Sequence, residues 1–146
     1  MIRRCDQNDM STIHEIINDS SRAYRGHIPG DCYHQPYMPE NELLSEIAGG
    51  VVFYGYEDNG ALLGVMGIQD KGPVVLIRHA YTRTREQGKG VGSKLLQHLL
   101  QMTAKPVLVG TWRDAKWAVR FYQRHGFELA STGRKDSLLR QYWSIP

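Results

Sequence analysis

The stretch Arg85-Glu86-Gln87-Gly88-Lys89-Gly90-Val91-Gly92-Ser93 decides the fold. On its N-terminal side Val74 to Thr82 reads as a strand, and on its C-terminal side Val91 to Met102 reads as a helix, with Val91, Leu95 and Leu99 in register. A glycine-rich turn from strand to helix frees backbone N–H groups and aims the positive end of the helix dipole at one point. Such a turn is an anion site, most often for phosphate. A tight turn that only needs positive φ would give the same letters.

Three glycine motifs compete for this turn. A phosphate loop of the G-x-x-x-x-G-K-[ST] type is absent. A dinucleotide fingerprint needs G-x-G-x-x-G beside the first strand of a βαβ unit, whereas here the spacing is Gly88-x-Gly90-x-Gly92, deep in the chain, with no acidic residue about 20 positions on. ATP or NAD binding is therefore disfavoured. What remains is [Q/R]-x-x-G-x-[G/A], matched by Arg85, Gly88 and Gly90. This resembles the acyl-CoA pyrophosphate loop of the GNAT N-acetyltransferases. A second segment, Ala118 to Phe127, follows the short apolar strand Pro106 to Thr111 and fits A-x-x-F-Y-x-[RK]-x-G-F. It is similar to the last helix of that family. Two spaced motifs in the right order are more specific than either alone. The resemblance covers Val74 to Phe127 in motifs and the N-terminal half in element order only.

Length and composition agree with a globular enzyme. A chain of 146 residues suits one GNAT-like domain, residues 1–146. Hydrophobic content of 41% and charged content of 23% are ordinary for a soluble protein. No apolar run is long enough to span a membrane, and Met1 to Asp6 lacks the apolar core of a signal peptide, so a cytoplasmic location is expected. Cys5 and Cys32 make no disulfide framework and read as free thiols. No metal is expected.

Charge is split along the chain. Residues 1–73 carry 11 acids against 5 Lys/Arg, net −6, and residues 74–146 carry 4 against 13, net +9. A positive field around the glycine loop would draw in a polyphosphate ligand. Nucleic acid is the other reading of a basic half, but no aromatic-interleaved basic strip or helix-turn-helix spacing supports it.

The remaining elements follow from periodicity and turn signals. Ile2 to Cys5 reads as a strand, and Asp9 to Tyr24 as a helix with Met10, Ile13, Ile16 and Ile17 at helical spacing. Pro39 to Ala48 reads as a second helix, with Leu43, Leu44 and Ile47 on one face. Val51 to Tyr56 and Ala61 to Gln69 are strands joined at Asn59-Gly60, a strong hairpin signal. Ala115 to His125 is a helix closed by Gly126. Phe127 to Ser131 and Leu138 to Trp143 read as a terminal strand pair. The order β-α-α-β-β-β-α-β-α-β-β is an α/β (α+β) fold: a GNAT-like mixed, mostly antiparallel sheet with helices on both faces. The resemblance adds a V-shaped splay between the strands at Val74–Thr82 and Pro106–Thr111, into which a pantetheine arm enters.

What the resemblance implies for function is acyl transfer from acetyl-CoA to a primary amine of a small molecule or peptide, by direct attack. Gln87, Gly88, Lys89, Gly90, Val91, Gly92 and Ser93 would bind pyrophosphate, with Arg85 and Lys89 adding charge. Ala80, Tyr81 and Thr82 would meet the pantetheine through their backbone, with an N–H of Ala80 or Tyr81 holding the oxyanion. Ala118 and Phe121 would line the cofactor side of the helix, and Tyr122 would give the leaving thiolate its proton. Phe121 and Tyr122 also suit the apolar face of a helix. The base is the weakest part of the pattern. His79 can accept a proton near neutrality, but a histidine in an apolar strand also fits a satisfied core residue. His34, Asp31 and Glu57 are further candidates, and ordered water serves in many relatives.

The connector after the first helix, with Tyr24, His27, Tyr33, His34 and Tyr37, would line the acceptor site, where aromatic rings can hold a cation. The same rings suit packing of the connector on the sheet. Ala115 departs from the family, whose members often carry Asn there, and this leaves room for a CoA-binding or regulatory module without turnover. Trp112 and Trp143 make a tryptophan-rich end that suits a homodimer interface.

Overall fold

A computed structural model gives the structure of residues 1–26, 37–111 and 114–143. Five strands form one sheet in the order β1-β2-β3-β4-β5. They are β1 (Ile2–Arg4), β2 (Val52–Asp58), β3 (Ala61–Asp70), β4 (Val75–Thr82) and β5 (Val107–Val109). The first four pair antiparallel and β5 joins β4 in parallel. The β2–β3 hairpin turns at Asn59 and Gly60, with φ of 51° and 78°. Both central residues of such a turn need positive φ, which is why Asn-Gly is found there.

The helices are α1 (Met10–Ser20), α2 (Glu40–Ala48), α3 (Val91–Leu100), α4 (Lys116–Arg124) and α5 (Thr132–Tyr142). Alternation along the strands feeds two cores. On one face Ile13, Ile16 and Ile17 of α1 and Leu43 of α2 bury against Phe53, Leu62 and Val65. On the other, Val91, Leu95, Leu96 and Leu99 of α3 and Tyr122 of α4 bury with Met66 and Ile77. Each such Leu or Ile contributes about 1.5–3 kcal/mol by leaving water. These contacts, more than helix propensity, hold helices of nine to eleven residues.

Two features of β4 set the geometry of the site. First, its pairing with β5 covers only Val75–Val107, Leu76–Leu108 and Ile77–Val109. Beyond Ile77, paired with the last residue of β5, β4 runs on beside β3 alone among the described residues. Second, the β3–β4 register shifts: Val65 faces Tyr81 and Gly67 faces Arg78, so His79 and Ala80 together oppose Met66. This is a β-bulge, which bends the strand and re-aims its side chains. His79 takes φ of 55° there, a left-handed backbone uncommon outside glycine.

The C-terminal strand pair expected at Phe127–Ser131 and Leu138–Trp143 is not formed. Residues 127–131 carry no strand, and Thr132–Tyr142 is the helix α5. Ser131 caps it, its hydroxyl accepting from the Arg134 N–H at 3.3 Å. Leu138, Leu139 and Tyr142 recur at helical spacing, and their partial burial follows that face. Trp143 then packs its ring over Gly110 at the end of β5, 3.6 Å from where a Cβ would stand.

Gly64 lets α3 approach the sheet: a Cβ there would lie 2.8 Å from Val91 Cγ1 and 3.2 Å from the Tyr81 carbonyl. Gly64→Ala should therefore cost about 1–3 kcal/mol through overpacking. Chemical denaturation checks this, and an unchanged midpoint at unchanged m would show that α3 does not depend on the close approach.

Candidate active site

The chain leaves β4 at Thr82 and makes a short 3₁₀ turn, Thr84–Glu86, before α3. Gly88 and Gly90 carry φ of 82° and 83°, and Gly90 is the N-cap of α3. Gly90 has no side chain to cap with, so the first-turn N–H groups of α3 are left for an external acceptor. No described atom lies within 4 Å of a Cβ built on Gly88 or Gly90, so the turn is open. Lys89 Nζ lies 3.0 Å from Glu86 Oε2, and Arg85 Nε is 3.8 Å from Glu86 Oε1. Both cations stay mostly exposed, at 63% and 72% of their side-chain surface, and share one carboxylate between them. Gln87 reaches back to the Thr82 carbonyl at 3.4 Å.

The loop is tied to α1 on the other face of the sheet. Asp19 accepts from the Thr84 N–H at 2.9 Å and from its hydroxyl at 3.1 Å. Ser20 donates to the Thr82 carbonyl at 2.5 Å, and Arg83 pairs with Glu15 while donating to the Leu62 carbonyl at 2.8 Å. Glu15, Asp19, Arg22, Arg83, Thr84 and Arg85 line a groove of about 450 Å³. The Thr84 N–H is the chief reason the Asp19 carboxyl lies below its ordinary value; burial opposes this, and the Thr84 hydroxyl and Arg22 add to it.

On the opposite face α4 docks on the first turn of α3. Phe121 Cζ stands 3.5 Å from a Cβ built on Gly92, so only a small residue lets the ring this close to the helix start. Ser93 Oγ and His125 Nε2 are 3.0 Å apart. Tyr122 is 8% exposed and sits edge-on between Phe121 and Phe127, with centroids at 5.1 and 5.5 Å. Ala118 and Phe121 pack on the same core. Phe121 thus meets the glycine turn directly, and Tyr122 adjoins it on the inner face of α4.

His79 sits on the bulge with 16% of its side chain exposed. Its ring stacks on Phe53 at 6.2 Å and its Nε2 contacts Glu46 Oε2. Burial pushes the Glu46 carboxyl up, but the contact with His79 and the charges of His79 and Arg78 outweigh it and hold the group below its ordinary value. Glu57, another base candidate, lies on β2 with Arg3 Nε at 3.1 Å, at the β1 side of the sheet. Burial pushes the Cys5 thiol up to about 11, so it is not a thiolate at neutral pH.

Of the connector residues, Tyr37 is partly buried against the α1–α2 core. His27, Asp31, Cys32, Tyr33, His34, the Tyr24 side chain and Trp112 lie outside the described residues. Met38 is pinned where the connector rejoins: Asn18 receives its N–H at 2.8 Å and donates to its carbonyl at 3.1 Å, and His14 Nε2 is 2.9 Å from the same oxygen. Ala115 is fully buried at the start of α4, and Asp114 beside it is exposed.

Sequence reasoning missed Asp19 and Glu46. Glu46 lies three residues after Leu43 and one before Ile47, at the border of the apolar face of α2. That spacing was its one visible signal.

Residues 6–139 match the acetyltransferase (GNAT) domain family. The chain belongs to the GNAT acetyltransferase family. Several solved structures share its fold. The PaiA N-acetyltransferase of Thermoplasma acidophilum, crystallised with coenzyme A, superposes with a TM-score of 0.76 at 20% identity, covering 90% of this chain and 91% of that one. The ribosomal-protein-S18-alanine N-acetyltransferase of Escherichia coli gives 0.73 at 16%, over 90% and 79%. A predicted acetyltransferase of Clostridium acetobutylicum, crystallised with acetyl-CoA, gives 0.68 at 16%, over 90% and 92%. No curated protein matches the sequence. Among the described residues no helix of this GNAT chain is long and apolar enough to cross a membrane.

The Asp19 clamp makes a pH-dependent prediction. A carboxyl lowered on folding contributes stability above its unfolded pKa and loses it as pH falls through the folded value. Asp19→Asn should lower stability by about 1 kcal/mol at neutral pH, a deficit that shrinks below about pH 4. Denaturation at a series of pH values tests it, and a deficit constant down to pH 3 would refute the clamp.

Proposed function

We propose that this GNAT domain is an acyl-CoA-dependent N-acyltransferase that moves the acetyl group of acetyl-CoA to a primary amine. The observation that carries the reading is the open Gly88–Gly90 turn at the start of α3, beside the part of β4 that has left β5. Backbone N–H groups of Gly88 to Ser93 suit the pyrophosphate, and exposed Arg85 and Lys89 add positive charge. The part of β4 that runs on past its pairing with β5, at Ala80 to Thr82, suits the amide-bearing arm of the donor, whose amides can bond to strand backbone.

In this reading the amine nitrogen attacks the thioester carbonyl carbon. The C–N bond forms, the C–S bond breaks, and an N–H of Ala80 or Tyr81 holds the charge that builds on oxygen. Tyr122 gives its phenolic proton to the leaving sulfur and regains one from solvent. His79 takes the amine proton on the acceptor side of the sheet. The acceptor is a small amine or a peptide amine, entering beside Tyr37 and Met38, next to α1. Ala115, buried and without a polar atom, is the observation that favours the rival reading, a CoA-binding module without turnover.

Calorimetric titration with acetyl-CoA, beside ATP, is the first test. Acetyl-CoA should bind and ATP should not compete. Gly90→Val should weaken binding at least about tenfold, because a β-branched residue resists φ near 83° and its side chain fills the turn. Absence of binding by any CoA species sinks the reading. Tyr122→Phe should lower kcat about 100-fold with CoA affinity kept, in a steady-state assay over an amine panel. Loss of CoA affinity with unchanged kcat would assign Tyr122 to packing alone.

A further inference from the structure

Glu46 joins three elements. Its Oε2 contacts His79 Nε2 on the bulge of β4, and its Oε1 accepts from Arg78 Nη2 at 2.6 Å. Arg78 Nη1 donates to Gln69 Oε1 of β3 at 3.2 Å, and Gln69 Nε2 donates to the carbonyl of Gly49 at 3.1 Å, immediately after α2. The chain of contacts therefore leaves α2, crosses β4 and β3, and returns to the end of α2. The Phe53 ring covers one face of the imidazole. His79 and Glu46 keep only 16% and 17% of their side-chain surface exposed.

The buried Glu46 Oε2 and His79 Nε2 face each other and have no other partner among the described residues, which bears on the tautomer of the ring. A carboxylate against one imidazole nitrogen keeps the proton on that nitrogen when the ring is neutral, so the other nitrogen carries the lone pair. The bulge adds a reason for the contact to exist. His79 holds φ of 55°, and a non-glycine residue keeps such a backbone only where its surroundings over-determine it. The stack on Phe53 and the contact with Glu46 are those surroundings.

We propose that Glu46 is a positioning residue for the acyl transfer: it fixes His79 with its proton on Nε2, so that Nδ1 is the nitrogen that accepts the amine proton. This rests on the acyltransferase reading above. A merely structural contact would hold the ring without selecting which nitrogen carries the proton, and this separates the two roles.

The test is side-chain ¹⁵N NMR of the histidine-labelled full chain, with the His79 signals assigned by their loss in His79→Gln. At high pH the wild type should show a protonated Nε2 and an imine-type Nδ1. Glu46→Leu, which removes the acceptor, should let both tautomers of the neutral ring appear and lower kcat/KM about tenfold or more with acetyl-CoA affinity kept. A protonated Nδ1 in the wild type, or the wild-type tautomer retained in Glu46→Leu, overturns the proposal. Calorimetry with acetyl-CoA on the same samples keeps the two ideas apart, because the cofactor reading stands or falls on binding and the tautomer on the NMR alone.

Discussion

The constraint on which the site depends is the change of hydrogen-bond partner along β4. For three residues, Val75 to Ile77, the strand is bonded on both edges. From Arg78 onward the strand no longer pairs with β5, the Thr82 carbonyl is taken up by Ser20 and Gln87, and the β3 edge is interrupted by the bulge at His79 and Ala80. The glycine turn follows a few residues later. Short strand pairing, bulge and glycine turn thus form one local sequence of events, and the two cores on either face hold it in place.

The two cores do different work. The α1–α2 core brings Asp19, Ser20 and Glu15 to the far end of β4, and each bonds a residue between Thr82 and Thr84. The α3–α4 core brings Phe121 against Gly92 and His125 against Ser93. The glycine turn is therefore held from its first residues by one face of the protein and from its last residues by the other. Neither clamp involves Gly88 or Gly90, whose φ angles leave the turn itself open. Rigid flanks around an open backbone are what preorganised anion recognition requires, because donors that are already oriented need no reordering when the ligand arrives.

How much of this the sequence carries depends on the range of the interaction. Asn59-Gly60 announced its hairpin and Arg85 to Ser93 its turn, since both are local demands for positive φ. The helices α1 and α3 followed from Ile13, Ile16, Ile17 and from Val91, Leu95, Leu99, which pack on a single sheet. The C-terminal reading failed because Leu138, Leu139, Tyr142 and Trp143 form an apolar cluster in a short segment, which periodicity alone cannot divide between strand and helix. The Ser131 cap and the helical spacing of Leu138, Leu139 and Tyr142 decide it. The bulge had no signature at all. Nothing in Arg78-His79-Ala80 requires an extra residue opposite Met66; the demand comes from the partner strand, where Gly67 would bring a Cβ to 2.7 Å from the Arg78 carbonyl. Asp19 and Glu46 were invisible for the same reason, as their partners are 65 and 33 positions away in sequence.

The charge split along the chain takes on a different meaning once those pairs are known. From the sequence alone, an acidic N-terminal half and a basic C-terminal half read as a positive field for an anionic ligand around the glycine loop. Several of those acids are instead bonded across the halves: Glu15 with Arg83, Glu46 with Arg78 and His79, Asp70 with Lys105. Glu40 and Glu42 stand in the first turn of α2, where they oppose the helix dipole. Asp9 and Glu57 pair instead with Arg3 inside the acidic half, so only part of the negative charge is spent in joining the two halves. The positive half is not symmetric with it. Arg85 and Lys89 share Glu86 and remain exposed beside the helix start, so an excess of positive charge survives at the one place where the backbone N–H groups also converge. Capture of a phosphate-bearing donor can therefore draw on long-range attraction.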